Sequence, residues 1–231
     1  MLPRILPLLA GLLPFIAMTG AFWIGVAYET LPACNPYLDG CSSISATGRK
    51  PPGSFLFRAI MLPYAAVLVF LWFYAVQWLQ TLDATLRRST SLSITIAGIV
   101  GALALVLYMT FLGTKLPIYE FMRRTGIYFA FLGTGLAQLF ISVALVRISA
   151  AVPEFRLGGK ARAMLGLSLS LIGLGILNIV LRRILDDTDQ IENRIEWISA
   201  LVMQIHFVVM YLVWRATGLD VSVRIRKPRV G

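Results

Sequence analysis

The chain has 231 residues, of which 58% are hydrophobic and only 14% are charged, and its formal net charge is +10. So few charged residues cannot cover the apolar surface that a soluble domain of this length would expose. The composition therefore excludes a soluble fold and favours a protein that places apolar helices in lipid.

Six segments are apolar over a length sufficient to cross a membrane, for which a helix needs roughly 20 mainly apolar residues. They span about 5–28, 55–81, 91–113, 126–148, 163–181 and 197–215. These runs are too long and unbroken for barrel strands, and lipid-facing backbone must satisfy its own hydrogen bonds. The sequence predicts an all-α polytopic protein, with one six-helix transmembrane domain over residues 1–231.

Basic residues are concentrated in alternate loops, and this asymmetry predicts the orientation. With the N-terminus inside, the inside segments hold twelve basic and three acidic residues, against nine basic and eight acidic residues outside. Both termini are therefore predicted to be cytoplasmic. The basic tail, 216–231, suits anionic headgroups, at about 1 kcal/mol per Lys or Arg near the surface. No nucleic-acid partner is expected, because no folded binding module precedes the tail.

The first segment resembles a signal peptide but is expected to be retained. Its apolar stretch is about twice the usual signal core, and only Arg4 supplies a basic region. LPAC, from Leu31 to Cys34, also resembles a lipoprotein cleavage box. Because Glu29 and Thr30 separate this box from the apolar run, lipidation is not expected.

The loop 29–54 follows, and the orientation places it outside the cytoplasm, where disulfides are permitted. Cys34 and Cys41 lie in it, on either side of an Asn-Pro and an Asp-Gly pair, which form turns. We predict a structured loop in which these cysteines form a disulfide. The alternatives are two unpaired thiols or half of a metal site. We expect no metal and no cofactor, because His206 is the sole histidine of the chain.

Polar side chains within the spans raise functional hypotheses, because ionisable groups are expensive in lipid. His206 lies about 15 Å along the helix axis from Glu196, near mid-membrane. It is either a general base or, as is commoner, a neutral histidine hydrogen-bonded to a neighbouring helix. Asn178, like Gln77, Gln138 and Gln204, is expected to hydrogen-bond between helices.

Small residues at short spacing indicate helix contacts, because packing in lipid depends on close approach of the backbones. The third, fourth and fifth segments each carry such a pair, and the pairs are Gly98 with Gly101, Gly133 with Ala137, and Gly166 with Ser170.

The outer mouth of the bundle is the predicted functional site. Ser43 and Ser45 in the loop are expected to lie near Arg58, with Glu120 arriving from the neighbouring outside loop. Hydroxyl groups, a fixed cation and an acceptor suit a phosphate or polar headgroup. Alternatively, Arg58 snorkels to the interface or pairs with Glu120, which would attach the loop to the bundle. Acyl transfer is also chemically open to such a group, although no G-x-S-x-G signature is present.

The loop also resembles that of a known family. The pattern C-x-x-P-Y-L, then S-S-I-S-A, a glycine, a proline and aromatic-x-aromatic-Arg is similar to the six-helix Frag/DRAM/Sfk family. The matching residues are Cys34, Pro36, Tyr37, Leu38, Ser42, Ser43, Ile44, Ser45, Gly48, Pro52, Phe55, Phe57 and Arg58. Weaker similarities surround Glu120 and His206. The family includes the DRAM autophagy modulators and a post-GPI-attachment lipid-remodelling protein.

The resemblance implies a role in membrane lipid biology, with membrane lipids as partners. One hypothesis is a protein that binds or organises lipids, and the alternative is an enzyme that remodels lipid acyl chains. The short chain and its positive-inside pattern suit a bacterial inner membrane. Bacteria have no GPI anchors, so that substrate does not carry over, whereas headgroup recognition by the loop does.

Overall fold

The computed structural model describes residues 2–151, 153–185 and 187–220, and every regular element within them is helical. Short 3-10 turns, Leu2–Ile5 and Pro153–Phe155, accompany seven α-helices. The α-helices are α1 Leu6–Ala27, α2 Ile44–Thr47, α3 Gly53–Leu82, α4 Arg88–Phe111, α5 Pro117–Ala151, α6 Gly158–Ile184 and α7 Asp189–Ala216. All except the four-residue α2 are long and apolar enough to span a membrane, which confirms the predicted fold class.

Two of these helices begin well before the positions that hydropathy predicts. α5 begins at Pro117 rather than near 126, and α7 begins at Asp189 rather than near 197. The added turns carry charged residues, which an apolar window leaves out although they continue the helix. At 1.5 Å per residue the 35 residues of α5 extend about 52 Å, longer than the roughly 30 Å of hydrocarbon. Its first turns therefore project beyond the membrane.

Six crossings bring the chain back to the side on which it began, so the two ends of the described chain share one face. We call this the terminal face, and the opposite one, which carries the loop 29–54, the loop face. Part of the predicted basic tail, residues 221–231, lies outside the described residues. Which face is cytoplasmic stays a prediction.

The six long helices form a closed ring in chain order. Each packs against the next one along the chain, and α7 returns to pack against α1. Aromatic side chains fill the centre and connect helices that are not neighbours in the ring. Trp72 of α3 lies 5.7 Å from Phe207 of α7, and Trp78 lies 5.9 Å from Trp214 (ring centroids), with all four side chains buried.

Helices α4 and α5 make the most extensive contact, and glycines produce it. A Cβ atom placed on Gly133 would lie 2.6 Å from the carbonyl oxygen of Ala97 and 2.7 Å from the amide nitrogen of Gly101. Only hydrogen atoms fit there. The predicted contact roles of Gly101 and Gly133 are thus confirmed, whereas that of Gly166 in α6 is wrong, because Gly166 is exposed with nothing within 4 Å of its added Cβ.

Candidate functional site

The loop 29–54 is a folded cap on the loop face, and the predicted disulfide joins Cys34 to Cys41. Between the cysteines the chain turns on Asn35, whose Oδ1 accepts a hydrogen bond from the Tyr37 amide at 3.0 Å. The Asn35 amide donates to Asp39 Oδ2 at 2.8 Å, which closes the turn. Each of these bonds is local, as the turn-forming residues require.

Helix α7 holds this cap in place. Asn193 Nδ2 donates to the Gly40 carbonyl and Trp197 Nε1 to the Ser42 carbonyl, both at 2.8 Å. Gly40 has a φ of +64°, and a Cβ there would lie 2.0 Å from the carbonyl oxygen of Gln190. Glycine is therefore the one residue type that fits this contact.

Aromatic packing seals the same junction. The Tyr37 ring meets the Trp197 ring edge-on, at 5.2 Å between centroids. Burial raises the pKa of Tyr37, so its phenol stays protonated across the physiological range.

The predicted serines lie in and before the short helix α2. Ser43 is its N-cap, and its Oγ accepts a hydrogen bond from the Ala46 amide at 3.1 Å. Ser45 is buried, and its Oγ lies 3.0 Å from the hydroxyl of Tyr108 in α4. The carboxyl group of Glu196 accepts from the backbone amides of Ile44 and Ser45. The Glu196 carboxyl group therefore provides acceptors for amides at the N-terminus of α2, which have no partner within that short helix.

Arg58 binds the end of a neighbouring helix. Its Nη2 donates to the carbonyl of Leu112, the C-cap residue that follows α4. Cations stabilise helix C-termini, where carbonyls lack intrahelical partners. Gly113 follows with a φ of +87°, and its added Cβ would lie 3.6 Å from Arg58 Nη2 and 3.1 Å from the Arg49 carbonyl oxygen. Arg58 and the backbone of Arg49 thus flank the same glycine.

Glu120 interacts with its own helix. Its Oε1 accepts from Arg124 at 2.6 Å and from Arg123 at 3.4 Å. Within the described chain, no hydrogen bond or ion pair joins any two of Ser43, Ser45, Arg58 and Glu120. The structure thus gives each of the four predicted residues its own partner rather than pairing them with one another.

Electrostatics nevertheless connects Glu120 to the end of the cap and to α7. Arg49 and Arg123 both act on Glu120, and both also act on Glu196. With Arg58 and Arg124 they form a group that we call the loop-face arginine cluster, defined as Arg49, Arg58, Arg123 and Arg124. Its four arginines outnumber the two acidic residues beside them, Glu120 and Glu196.

His206 occupies a second polar site, within the ring. Its Nε2 lies 2.8 Å from Ser142 Oγ of α5, and the Ser142 hydroxyl also donates to the Gln138 carbonyl at 2.6 Å. Ser168 of α6 lies 3.3 Å from the same hydroxyl. Three helices therefore meet at Ser142, and the predicted hydrogen bond from His206 to a neighbouring helix is present.

The other predicted intramembrane side chains divide into two kinds. Gln138 Nε2 donates to the Met203 carbonyl at 2.9 Å, so it connects α5 to α7, and Gln204 Nε2 contacts Met18 Sδ at 3.4 Å. The prediction is wrong for Asn178 and Gln77: Asn178 Oδ1 is buried with no hydrogen-bond partner among the described residues, and Gln77 is exposed. No group of three or more potential metal ligands occurs in the described part of the chain.

Sequence reasoning missed the residues that organise the cap. Tyr108 and Trp197 lie in apolar helices, where an aromatic residue signals packing or an interface position rather than one hydrogen bond. Glu196 lies in a charge-rich segment that suggests a solvated rim. Only the distance in space between α2, α4 and α7 reveals these partners.

One comparison with known proteins finds a match. The family model described as the Frag1/DRAM/Sfk1/Cwh43P N-terminal domain matches residues 3–216. No curated protein and no solved structure matches the chain at the stringency applied. The family match covers all six spanning helices and the capped loop.

Proposed function

Because this chain belongs to the Frag1/DRAM/Sfk1/Cwh43 family, we propose that it binds or organises membrane phospholipids at its loop face. The lipid phosphate is the group that the proposed site recognises. The observation that carries this proposal is the loop-face arginine cluster, whose cations exceed the acidic residues beside them. Guanidinium groups bind phosphate oxygens through planar, paired hydrogen bonds, which favours arginine over lysine at such sites.

The height of the cluster suits a headgroup. Arg58 is in the second turn of α3, and Arg123 and Arg124 are in the second turn of α5, where these helices emerge on the loop face. Exposed apolar side chains follow the arginines toward the membrane interior, Leu62 in α3 and Phe129 in α5. A lipid there meets cations at phosphate level and apolar side chains below them.

Arg58 retains capacity for a ligand although it binds Leu112. A guanidinium group has five N–H donors, and the Leu112 carbonyl takes one of them. Its Nε is buried without a partner among the described residues. Arg58 therefore caps the C-terminus of α4 and still has N–H donors that a phosphate group could use.

Native mass spectrometry of gently extracted protein tests the proposal. Arg49→Gln removes an exposed charge of the cluster, and Arg58→Lys keeps the charge but loses the planar fork. Arg183→Gln is the matched control, because Arg183 is also exposed on the loop face but lies outside the cluster. We expect retention of one bound phospholipid, resolved by its mass, to fall about tenfold in the first two variants, the scale of one charge-assisted hydrogen bond, and to stay at the parent level in the control. Equal retention in all variants would leave the cap with a structural role alone.

An acyl-remodelling enzyme is the second candidate function. The observation in its favour is the buried hydroxyl pair of Ser45 and Tyr108 beside the Glu196 carboxyl group. A nucleophilic hydroxyl needs an adjacent base, and this site brings both residue types together. Incubation of the protein with a defined phospholipid, followed by acyl-chain analysis, separates the candidates. A change in acyl composition that Ser45→Ala abolishes selects the enzyme, whereas unchanged lipid selects binding.

A further inference from the structure

The terminal face carries an open pocket of about 550 Å³, far from the loop-face arginine cluster. It lies between the start of α4 and the last turns of α5, beside the short connection from α3 to α4. Its volume falls within the range of small-molecule sites, roughly 300–1,000 Å³. The pocket is on the opposite side of the membrane from the proposed site, so it is a second and independent feature.

The pocket exists because α4 and α5 separate toward the terminal face. The glycine contact at Gly101 and Gly133 holds the two backbones together in the middle of the membrane. About three turns further on, Ser93 of α4 and Val143 of α5 both line the opening. The pocket is the space between the two helices at this level.

The outer rim of the pocket is positively charged. Arg87 and Arg147 both line it, both are exposed, and neither forms an ion pair with a described residue. Ser89 and Thr90, in the first turn of α4, also line the rim, which places the positive end of that helix dipole there. Two free guanidinium groups beside a helix N-terminus attract a phosphate group.

One carboxylate, Asp83, also lines the pocket. Its Oδ1 accepts hydrogen bonds from the Thr85 hydroxyl and the Thr85 amide, at 2.6 and 2.8 Å. These bonds lower the pKa of Asp83, so it remains ionised and holds the turn before α4. The lining nevertheless has a net positive charge, because two arginines face one carboxylate.

The inner wall of the pocket is apolar. Leu139, Phe140 and Val143 line it, and all three are half-buried residues of α5 within its spanning segment. A free phosphate ion would contact none of this wall, whereas an acyl chain would cover it. From this division into a cationic rim and an apolar wall, we propose that the pocket binds one anionic phospholipid. Its phosphate lies at Arg87 and Arg147, and its acyl chain lies between α4 and α5.

Short-chain lipids test this site with the full-length protein in neutral detergent. Dioctanoyl phosphatidylglycerol is the probe, inorganic phosphate supplies the anion without the chain, and dioctanoylglycerol supplies the chains without the phosphate. We expect the lipid to raise the thermal unfolding temperature of the parent, and the other two compounds to leave it unchanged. An equal rise with inorganic phosphate would show a simple anion site, and an equal rise with dioctanoylglycerol would show nonspecific apolar binding. Either outcome overturns the proposal.

Variants then assign the site to the arginines. Arg87→Gln/Arg147→Gln should weaken the binding of one phosphatidylglycerol molecule at least tenfold by native mass spectrometry, since two charge-assisted contacts are lost, while a lipid at the loop face stays bound. Lys160→Gln/Arg162→Gln is the matched control, because it removes two charges near the start of α6, on the terminal face, from residues that do not line the pocket. We expect its binding to remain within threefold of the parent. Parent-level binding by the Arg87/Arg147 variant, or an equal loss in the control, would refute the site. Neither double variant touches the loop-face arginine cluster, so failure here leaves the proposed function standing.

Discussion

Replacing Gly133 by alanine should force α4 and α5 apart, whereas the same change at Gly135, two residues along the same helix, should be tolerated. The added Cβ at Gly133 would lie 2.6 to 2.8 Å from backbone atoms of Ala97 and Gly101. Ordinary contact begins near 3.4 Å, so the helices must move apart by about 0.6 to 0.8 Å. At Gly135 nothing lies within 4 Å of the added atom.

The expected cost at Gly133 is set by what the methyl group meets. Overpacking of a close contact costs about 1–3 kcal/mol, and the upper part of that range applies because backbone atoms cannot rotate away. Gly135→Ala has no such cost and gains at most about 1 kcal/mol of helix propensity. The propensity gain is common to both variants, so they should differ by the overpacking cost alone, about 2–3 kcal/mol in free energy of unfolding, although the chemical change is identical.

Equilibrium unfolding in mixed detergent micelles, followed by tryptophan fluorescence, measures this difference. Thermal unfolding gives a second readout, since each kcal/mol shifts the midpoint by roughly 2–4 °C in soluble chains of this size. Equal stability of Gly133→Ala and Gly135→Ala would show that α4 and α5 do not approach as closely as described. Greater stability of Gly133→Ala than of the parent would refute the overpacking argument itself.

Three further predictions follow from the cap, the core and the topology. Trp197→Phe keeps the ring but loses the hydrogen bond to the loop, so amide hydrogen exchange in the cap should become faster by about fivefold, equivalent to about 1 kcal/mol. Ser142→Ala should cost about 0.6 kcal/mol in unfolding experiments, the average for interhelical hydrogen bonds in a membrane protein, whereas Ser170→Ala, whose hydroxyl bonds its own helix, should cost nothing measurable. Reporter fusions after Ser89 and after Gly53 should give opposite compartment signals, with the first in the cytoplasm. The reverse assignment would show that the predicted orientation is wrong. Matching signals would show that the six-span fold is wrong.

Much of the architecture could be predicted because hydropathy is a local property. Lipid selects long apolar helices residue by residue, so their number and approximate centres follow from composition alone. Helix ends were predicted less well where charged residues continue a helix beyond the membrane, as Glu120 does in α5 and Glu192 in α7. Hydropathy reports where the lipid ends, not where the helix ends.

The sequence predicted on which face the candidate residues lie, but not which groups they contact. The loop pattern identified Ser45 and Arg58 correctly as residues of the loop face. Side-chain reasoning placed them together with Glu120, yet Arg58 binds the Leu112 carbonyl and Ser45 meets Tyr108. Every helix ends with backbone carbonyls whatever its sequence, so no residue pattern can show that the Leu112 carbonyl is bound by a cation.

Local chemistry thus determined the class of this protein, since apolar runs, turn residues and two cysteines act within a few residues of one another in the chain. Tertiary structure alone decided which of several equivalent residues carry the packing and the interhelical hydrogen bonds. Gly133 and Gly166 have similar sequence contexts, each with a small residue four positions later and apolar residues around it. Gly133 nevertheless lies against the backbone of α4, whereas Gly166 is exposed. The difference arises because the packing free energy depends on what another helix brings to the surface, and that partner is distant in sequence.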